Sequence, residues 1–208
     1  MVNIAVLVSG GGTNLQALLD AQTRGEIPGG KITLVVASKP GVYALERASN
    51  ANVPSVVVSR RDHVDTDAFC QALLDTLHAH NIQLVILAGF LSILNDRFIQ
   101  SFPNRIINVH PSLIPSFCGK GFYGLKVHEQ ALARGVKVTG ATVHFVNEEP
   151  DGGPIILQKA VDIQEGDTPE TLQKRVMEQA EWKLLPQAAA LFCQEKLIVD
   201  GAAVHIKP

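Results

Sequence analysis

Long apolar runs are missing from this chain. No segment reaches the roughly 18 consecutive apolar residues that would span a bilayer, so a membrane protein is not expected. Cysteine pairing is missing as well. Cys70, Cys118 and Cys193 are far apart and form no CxxC, which excludes a disulfide framework and makes a reducing cytoplasm the expected setting. There is no excess of positive charge: 18 Lys and Arg against 20 Asp and Glu give a formal net charge of -2, so no basic surface for nucleic acid is indicated. No HExxH, no Cys/His cluster and no Gly-x-Ser-x-Gly elbow occurs, which argues against metal catalysis and a hydrolase-type serine. The opening MVNIAVLVSGGG lacks a basic n-region and a small-x-small cleavage site; it reads as a buried first strand rather than a signal peptide.

What is present is a core. The 208 residues are 46% hydrophobic, enough for one domain over 1–208. Short β-branched runs at 3–10, 31–38, 53–59, 82–89 and 105–111 read as strands buried on both faces. Helical patterns lie between them at Asn14 to Gln22, Val42 to Asn50, Thr66 to His80 and Asp96 to Ser101. This alternation predicts an α/β fold: a doubly wound, mostly parallel twisted sheet with helices on both faces. After Pro111 the style changes. A loop rich in Gly, Pro and aromatics runs to Gly124, long enough to suggest function. A helix over 125–135, two extended runs at 139–146 and 154–163, and a long helix from Thr168-Pro169 to about Glu195 follow, the last with a good start signal.

Three constellations carry chemistry. Ser9-Gly10-Gly11-Gly12-Thr13-Asn14 follows a strand and opens a helix. Glycines allow close backbone approach, and the helix N-terminus offers free N–H groups to a phosphate; Thr13 and Asn14 could add side-chain donors or cap the helix. The bland alternative is a capped tight turn. The loop is not a Walker A, its third dinucleotide-fingerprint position is Leu15, and Ala37-Ser38-Lys39 has no acid for an NAD ribose, so one phosphate on a mononucleotide-like ligand suits it better than NAD. Second, strand period places Asn108 and His110 on one face. An amide donor beside an imidazole suits a developing oxyanion; a hydrogen-bonded core histidine is the alternative. Third, Asp151-Gly152-Gly153 is ordinary turn chemistry unless the fold brings Asp151 to His110, where a carboxylate would favour imidazolium and raise the pKa above about 6.5. His144, on one side of its run with Thr142, reads as a core or wall residue.

The blocks Ser9-Gly-Gly-Gly-Thr-Asn-Leu-Gln-Ala17, Leu87-Ala-Gly-Phe-Leu91, Asn108-Val-His-Pro-Ser-Leu-Ile-Pro115 and Asp151-Gly-Gly-Pro-Ile155 resemble the phosphoribosylglycinamide formyltransferase family of folate-dependent formyltransferases, from Met1 to about residue 200. The resemblance implies formyl transfer from 10-formyltetrahydrofolate, a co-substrate, to the amine of glycinamide ribonucleotide, without a metal. It implies Asn108, His110 and Asp151 as the catalytic trio, and Gly12, Thr13 and Asn14 as the phosphate cradle. Leu91, Ser92, Ile93 and Leu94, with Asn108 and the segment Asn147, Glu148, Glu149, Pro150 and Asp151, would line the folate pocket. Glu181 matches the family's ribose-contacting Glu if the helix carries a one-residue insertion. The half 1–104 would be the phosphate-binding lobe and 105–208 the folate-binding and catalytic lobe. The chain departs from the pattern at Ser92 and near Thr66, where many members carry Arg, at Trp182 in place of His, and at Ser116-Phe-Cys118.

The expected partners are small molecules, with no nucleic acid and no membrane, and the chain is expected to be a monomer or homodimer. Formyltetrahydrofolate hydrolase is the alternative; it normally carries an extra N-terminal domain, whereas this sequence begins at the first strand. A methionyl-tRNA formyltransferase would need an RNA-binding domain. A nicotinamide oxidoreductase would need the third glycine, and a binding module leaves the trio without a purpose.

Overall fold

Strand β1 (Val2–Val8) is shielded on both faces, with Ile4 to Val8 completely buried, as a central parallel strand has to be. The computed structural model describes residues 1–208. From β1 the chain runs through α1 (Thr13–Thr23), β2 (Gly30–Ala37), α2 (Tyr43–Asn50) and β3 (Ser55–Val57). It then passes a 3-10 turn at Arg60–Asp62 to α3 (Thr66–Ala79), β4 (Leu84–Leu87), α4 (Asp96–Ser101) and β5 (Ile106–His110). The seven-stranded sheet has the order β3-β2-β1-β4-β5-β6-β7, where β6 is Val138–Phe145 and β7 is Ile155–Asp162. The first five strands pair in parallel and the last two pairings are antiparallel. The chain winds outward from β1 in both directions, so the connections diverge between β1 and β4 and leave a crevice at the carboxyl ends of those strands.

Two apolar cores lie on opposite sheet faces. One joins β1 residues Ile4, Val6 and Val8 to Leu15 and Leu18 of α1 and to Leu185 and Ala189 further along the chain. The other joins Ala5 and Leu7 to Phe69, Leu73 and Leu77 of α3 and to Phe98 of α4. The alternation of buried residues along β1 between the two clusters follows from the two-residue strand period.

The helix α5 (Leu125–Arg134) follows the long loop and ends on Gly135 in the left-handed conformation. The last helical stretch begins where the sequence signals it: Thr168 as N-cap and Thr171 two residues after Pro169 form a capping box. It runs without a break to Cys193, close to the expected Glu195, but with one irregularity. α6 (Pro169–Val176) passes through a π-helical turn at Met177–Glu181 into α7 (Trp182–Cys193). A terminal hairpin of β8 (Leu197–Asp200) and β9 (Ala203–Ile206) was not among the sequence expectations. Its signal was an Asp200-Gly201 turn between β-branched runs. The run 53–59 supplies only the three residues of β3.

His128 on α5 is fully buried and neither of its ring nitrogens has a partner. Burial, and secondarily the neighbouring His110, push its pKa down to about 4. A histidine depressed in the folded state contributes stability that is present above about pH 6.5 and is lost as pH falls through the folded value. Denaturant melts of the wild type should therefore lose on the order of 3 kcal/mol more between pH 6.5 and 4 than those of His128→Leu. Parallel curves for the two proteins would show that His128 does not titrate this way.

Candidate active site

The crevice between β1 and β4 is fastened by Ser9. Its buried hydroxyl accepts the Leu91 N–H at 2.9 Å and the Ser38 hydroxyl at 2.7 Å, tying together the segments that follow β1, β2 and β4. Gly12 adopts φ 73 as the N-cap of α1, and a Cβ there would lie 2.8 Å from the Cβ of Ala44, so both conformation and space call for glycine. No side chain caps the helix. Of the two roles open to Thr13 and Asn14, side-chain donor or helix cap, neither side chain takes the second, because both turn elsewhere. Thr13 Oγ1 donates to Met177 Sδ at 3.7 Å, and Asn14 Nδ2 donates to Glu181 Oε2 at 2.7 Å. The first-turn N–H groups of α1 are left uncapped by side chains at its positive end.

At the end of β5, Asn108 and His110 meet Asp151. His110 Nδ1 stands 3.5 Å from Asp151 Oδ2, and His110 Nε2 donates to the Phe117 carbonyl at 2.8 Å. With an acceptor at each nitrogen, the cation satisfies both contacts and neither neutral tautomer does. Burial opposes the charge, however. It lowers the His110 pKa, and the raising effects of Asp151 and the Phe117 carbonyl offset this only in part. The expectation of a pKa above the ordinary value is thus reversed by desolvation in the free protein. Burial likewise pushes Asp151 up, but bonding to His144, the nearness of His110 and the Gly119 N–H at 2.8 Å together hold it below the usual carboxylate range. Burial and then Asp151 and Glu149 raise the Cys118 thiol, which suits a spectator rather than a nucleophile.

Asp151 reaches this place through an unusual turn. It is a non-glycine residue at φ 57, a sparsely populated conformation that costs of order 1 kcal/mol. Gly153 follows, where any Cβ would collide with the Phe145 carbonyl.

His144 belongs to the site, although the sequence reading took it for core or wall. β5 and β6 pair with Asn108 opposite His144, and Asn108 Nδ2 lies 3.1 Å from His144 Nε2. His144 Nδ1 donates to the Phe145 carbonyl at 2.8 Å, and its Nε2 is 3.6 Å from Asp151 Oδ1. The same Nε2 accepts from the Asn108 amide when it is unprotonated and donates to Asp151 when it is protonated, so the histidine serves one of the two at a time. The signal was the shared face of Thr142 and His144; the missing piece was the strand register.

Two cavities meet at these groups. One, of about 350 Å³, has Asn14, Met177 and Glu181 along one side and Asn108, His110 and Asp151 along the other. The second, of about 230 Å³, is lined by Ser92, Ile93, Leu94, Asn108, Asn147, Glu148, Glu149, Pro150 and Asp151, with Phe90 and His144. Phe90, Asn108 and Asp151 face both. Leu91, expected with the folate residues, lines the first cavity instead. Its N–H is bound to Ser9, which turns it toward the β1 side. Phe122, Tyr123 and Gln173 also line the first cavity; the sequence offered no specific signal for them.

Glu181 is 6% exposed. Burial raises its pKa to about 7 against the lowering effect of the Asn14 bond. The one-residue insertion that its match to the family required has a structural counterpart: the π-turn Met177–Glu181 takes up an extra residue while the helix continues on either side. No group of three or more His, Cys, Asp or Glu side chains could hold a metal ion, and no helix is long and apolar enough to cross a membrane.

A family model described as formyl transferase matches residues 2–189. The chain is 40% identical over 197 residues to the phosphoribosylglycinamide formyltransferase of Haemophilus influenzae, covering 95% of this chain and 90% of that one. It is 38% identical to the chloroplastic phosphoribosylglycinamide formyltransferase of Arabidopsis thaliana, over 93% of this chain but 66% of that protein's length. It spans only about a fifth of the trifunctional purine biosynthetic relatives. The crystal structure of glycinamide ribonucleotide transformylase 1 from Symbiobacterium toebii superposes with a TM-score of 0.94 at 43% identity, covering 100% of this chain and 95% of that one. The chain belongs to the formyl transferase family, among the phosphoribosylglycinamide formyltransferases.

Proposed function

We propose that this chain transfers the formyl group of 10-formyltetrahydrofolate to the amine of glycinamide ribonucleotide, giving formylglycinamide ribonucleotide and tetrahydrofolate in purine biosynthesis. The observation that carries the reading is the meeting of two cavities at Asn108 and Asp151. One has Asn14, at the uncapped start of α1, and Glu181, which suit a ribose phosphate, while Thr13 opens onto a neighbouring cleft with Gln16 and Arg47; the other has residues suited to a folate, so the two reactants approach each other at the trio. The half 1–104 then supplies the phosphate cradle Gly12, Thr13 and Asn14, and 105–208 supplies the catalytic groups and most of the folate wall. Glu181 receives the ribose. Three unpaired cysteines suit a cytoplasmic enzyme, which acts as a monomer or homodimer on small molecules without a nucleic-acid or membrane partner.

The amine nitrogen attacks the formyl carbon directly. The carbonyl oxygen becomes negative as the tetrahedral intermediate forms. Asn108 donates to it, and His110 donates by exchanging its Phe117 carbonyl contact for the oxyanion, each bond worth about 3 kcal/mol when well aimed. The charge that develops there adds to Asp151 in favouring imidazolium, offsetting the burial that lowers the His110 pKa in the free protein. Collapse breaks the bond from the formyl carbon to the folate nitrogen. The amine's proton passes to that nitrogen, and Asp151 is placed to relay it through water. Holding both reactants in one cleft supplies the proximity contribution.

Folate product measured spectrophotometrically should appear only when glycinamide ribonucleotide is present. Release of formate with water alone would assign the hydrolase reaction instead. His110→Ala and Asp151→Asn should each lower kcat by roughly 100-fold or more, with KM values changed little; undiminished turnover in either would remove that residue from the mechanism.

Glu181→Gln has two expected effects. It should raise KM for the ribonucleotide with little change in the folate KM. A buried Glu raised to about 7 withdraws stability as pH climbs from its unfolded value near 4.3 through the folded one. The variant should therefore melt higher than wild type at pH 8, and the advantage should disappear at pH 4. A constant difference between the two melting curves across that range would contradict the assignment.

A further inference from the structure

The phosphate reading explains what Gly12, Thr13 and Asn14 would do, but it does not say what aims their N–H groups. The answer lies in α2, on the side of the loop away from the catalytic residues. The Ala44 N–H donates to the Gly10 carbonyl at 3.3 Å. Arg47 Nε donates to the Gly11 carbonyl at 2.8 Å. In a planar trans peptide the C=O and the following N–H point in opposite directions. Fixing the Gly10 and Gly11 carbonyls toward α2 therefore turns the Gly11 and Gly12 N–H groups away from it. Neither of those N–H groups donates to another backbone carbonyl. They run on into the uncapped first turn of α1, so consecutive amides line up as an anion-binding concavity.

Arg47 is itself held. Its Nη1 donates to Gln16 Oε1 at 2.9 Å, and Gln16 Nε2 passes the chain on to Asp20 Oδ1 at 2.8 Å. The guanidinium lies 4.8 Å from the centroid of the Tyr43 ring, a cation–π arrangement that restrains it further. One side chain thus ties α2, α1 and the glycine loop together. Its forked donors make two bonds in different directions, which a lysine cannot reproduce. Glycine at 10, 11 and 12 gives the loop freedom that nothing else in it removes.

We infer that Arg47 is the positioning residue of the phosphate loop: its bond to the Gly11 carbonyl orients the Gly12 N–H, and its charge adds positive potential behind the bound anion. The inference rests on the proposed phosphate cradle. Arg47 touches neither reacting atom, so its effect falls on binding and not on chemistry.

The test compares wild type with Arg47→Met and Arg47→Lys. Steady-state kinetics give KM for each substrate and kcat, and calorimetry with inorganic phosphate, without folate, gives a direct dissociation constant. Arg47→Met should raise the ribonucleotide KM and the phosphate dissociation constant in parallel, by roughly tenfold, with kcat and the folate KM within about twofold. Arg47→Lys keeps the charge but loses the fork, and should fall between the two. A variant with wild-type phosphate affinity and ribonucleotide KM would overturn the inference, even if its melting temperature fell, since that pattern marks a structural role only. If Arg47→Met does not fold, Arg47→Lys decides by the same two constants. A wild type that binds phosphate but fails to use glycinamide ribonucleotide would overturn the proposed reaction, and the phosphate measurement would still decide the role of Arg47.

Discussion

The carboxylate of Asp151 meets the ends of β5 and β6 and the long loop at one point. It stands 3.5 Å from His110 at the end of β5 and 3.6 Å from His144 at the end of β6, and it accepts the Gly119 N–H from the long loop after β5. Such a hub needs a backbone that delivers it to one place, and Asp151 gets there in the left-handed conformation followed by a glycine that no other residue could replace without a collision. Local strain of this kind persists because the surrounding contacts over-determine it.

The rest of the site is arranged around a conflict between burial and charge. His110, Asp151 and Glu181 are each taken out of water, which disfavours their ionised forms. Asp151 escapes that penalty through its hydrogen bonds. His110 escapes only partly, and Glu181, with Asn14 as its one partner, titrates near neutrality. Groups left incompletely satisfied in the free protein are those with most to gain when a polar substrate arrives. The stability withheld at Glu181 and in the turn at Asp151 is supplied elsewhere, by a central strand buried on both faces and by apolar packing on each side of the sheet.

What the sequence could show followed from local rules. Uninterrupted β-branched runs marked the parallel strands, the glycine run after β1 marked the tight turn that opens α1, and the two-residue strand period put Asn108 and His110 on one face. What it could not show depended on register, helical phase or dielectric. His144 joined the site because β6 pairs antiparallel to β5 with Asn108 opposite it. Glu181 faces the cleft through a π-turn whose presence an extra residue only hints at. Leu91 lines the cavity of Asn14 and Glu181, with its N–H bound to Ser9. The sign of the His110 shift depended on how deeply the ring is buried. The Asp151 charge was legible as a candidate partner, but desolvation outweighs it. Arg47 carried no motif at all; its importance emerges only when the Gly11 carbonyl is seen to point at it.

Asp151 favours the charged form of His110 against burial. Nuclear magnetic resonance of the His110 imidazole, followed against pH in the wild type and in Asp151→Asn, tests that directly. The expected wild-type midpoint lies below the ordinary histidine value, with a further fall when the carboxylate becomes an amide. An unchanged or higher midpoint in Asp151→Asn would contradict it, because His110 would then owe its protonation state to something other than Asp151.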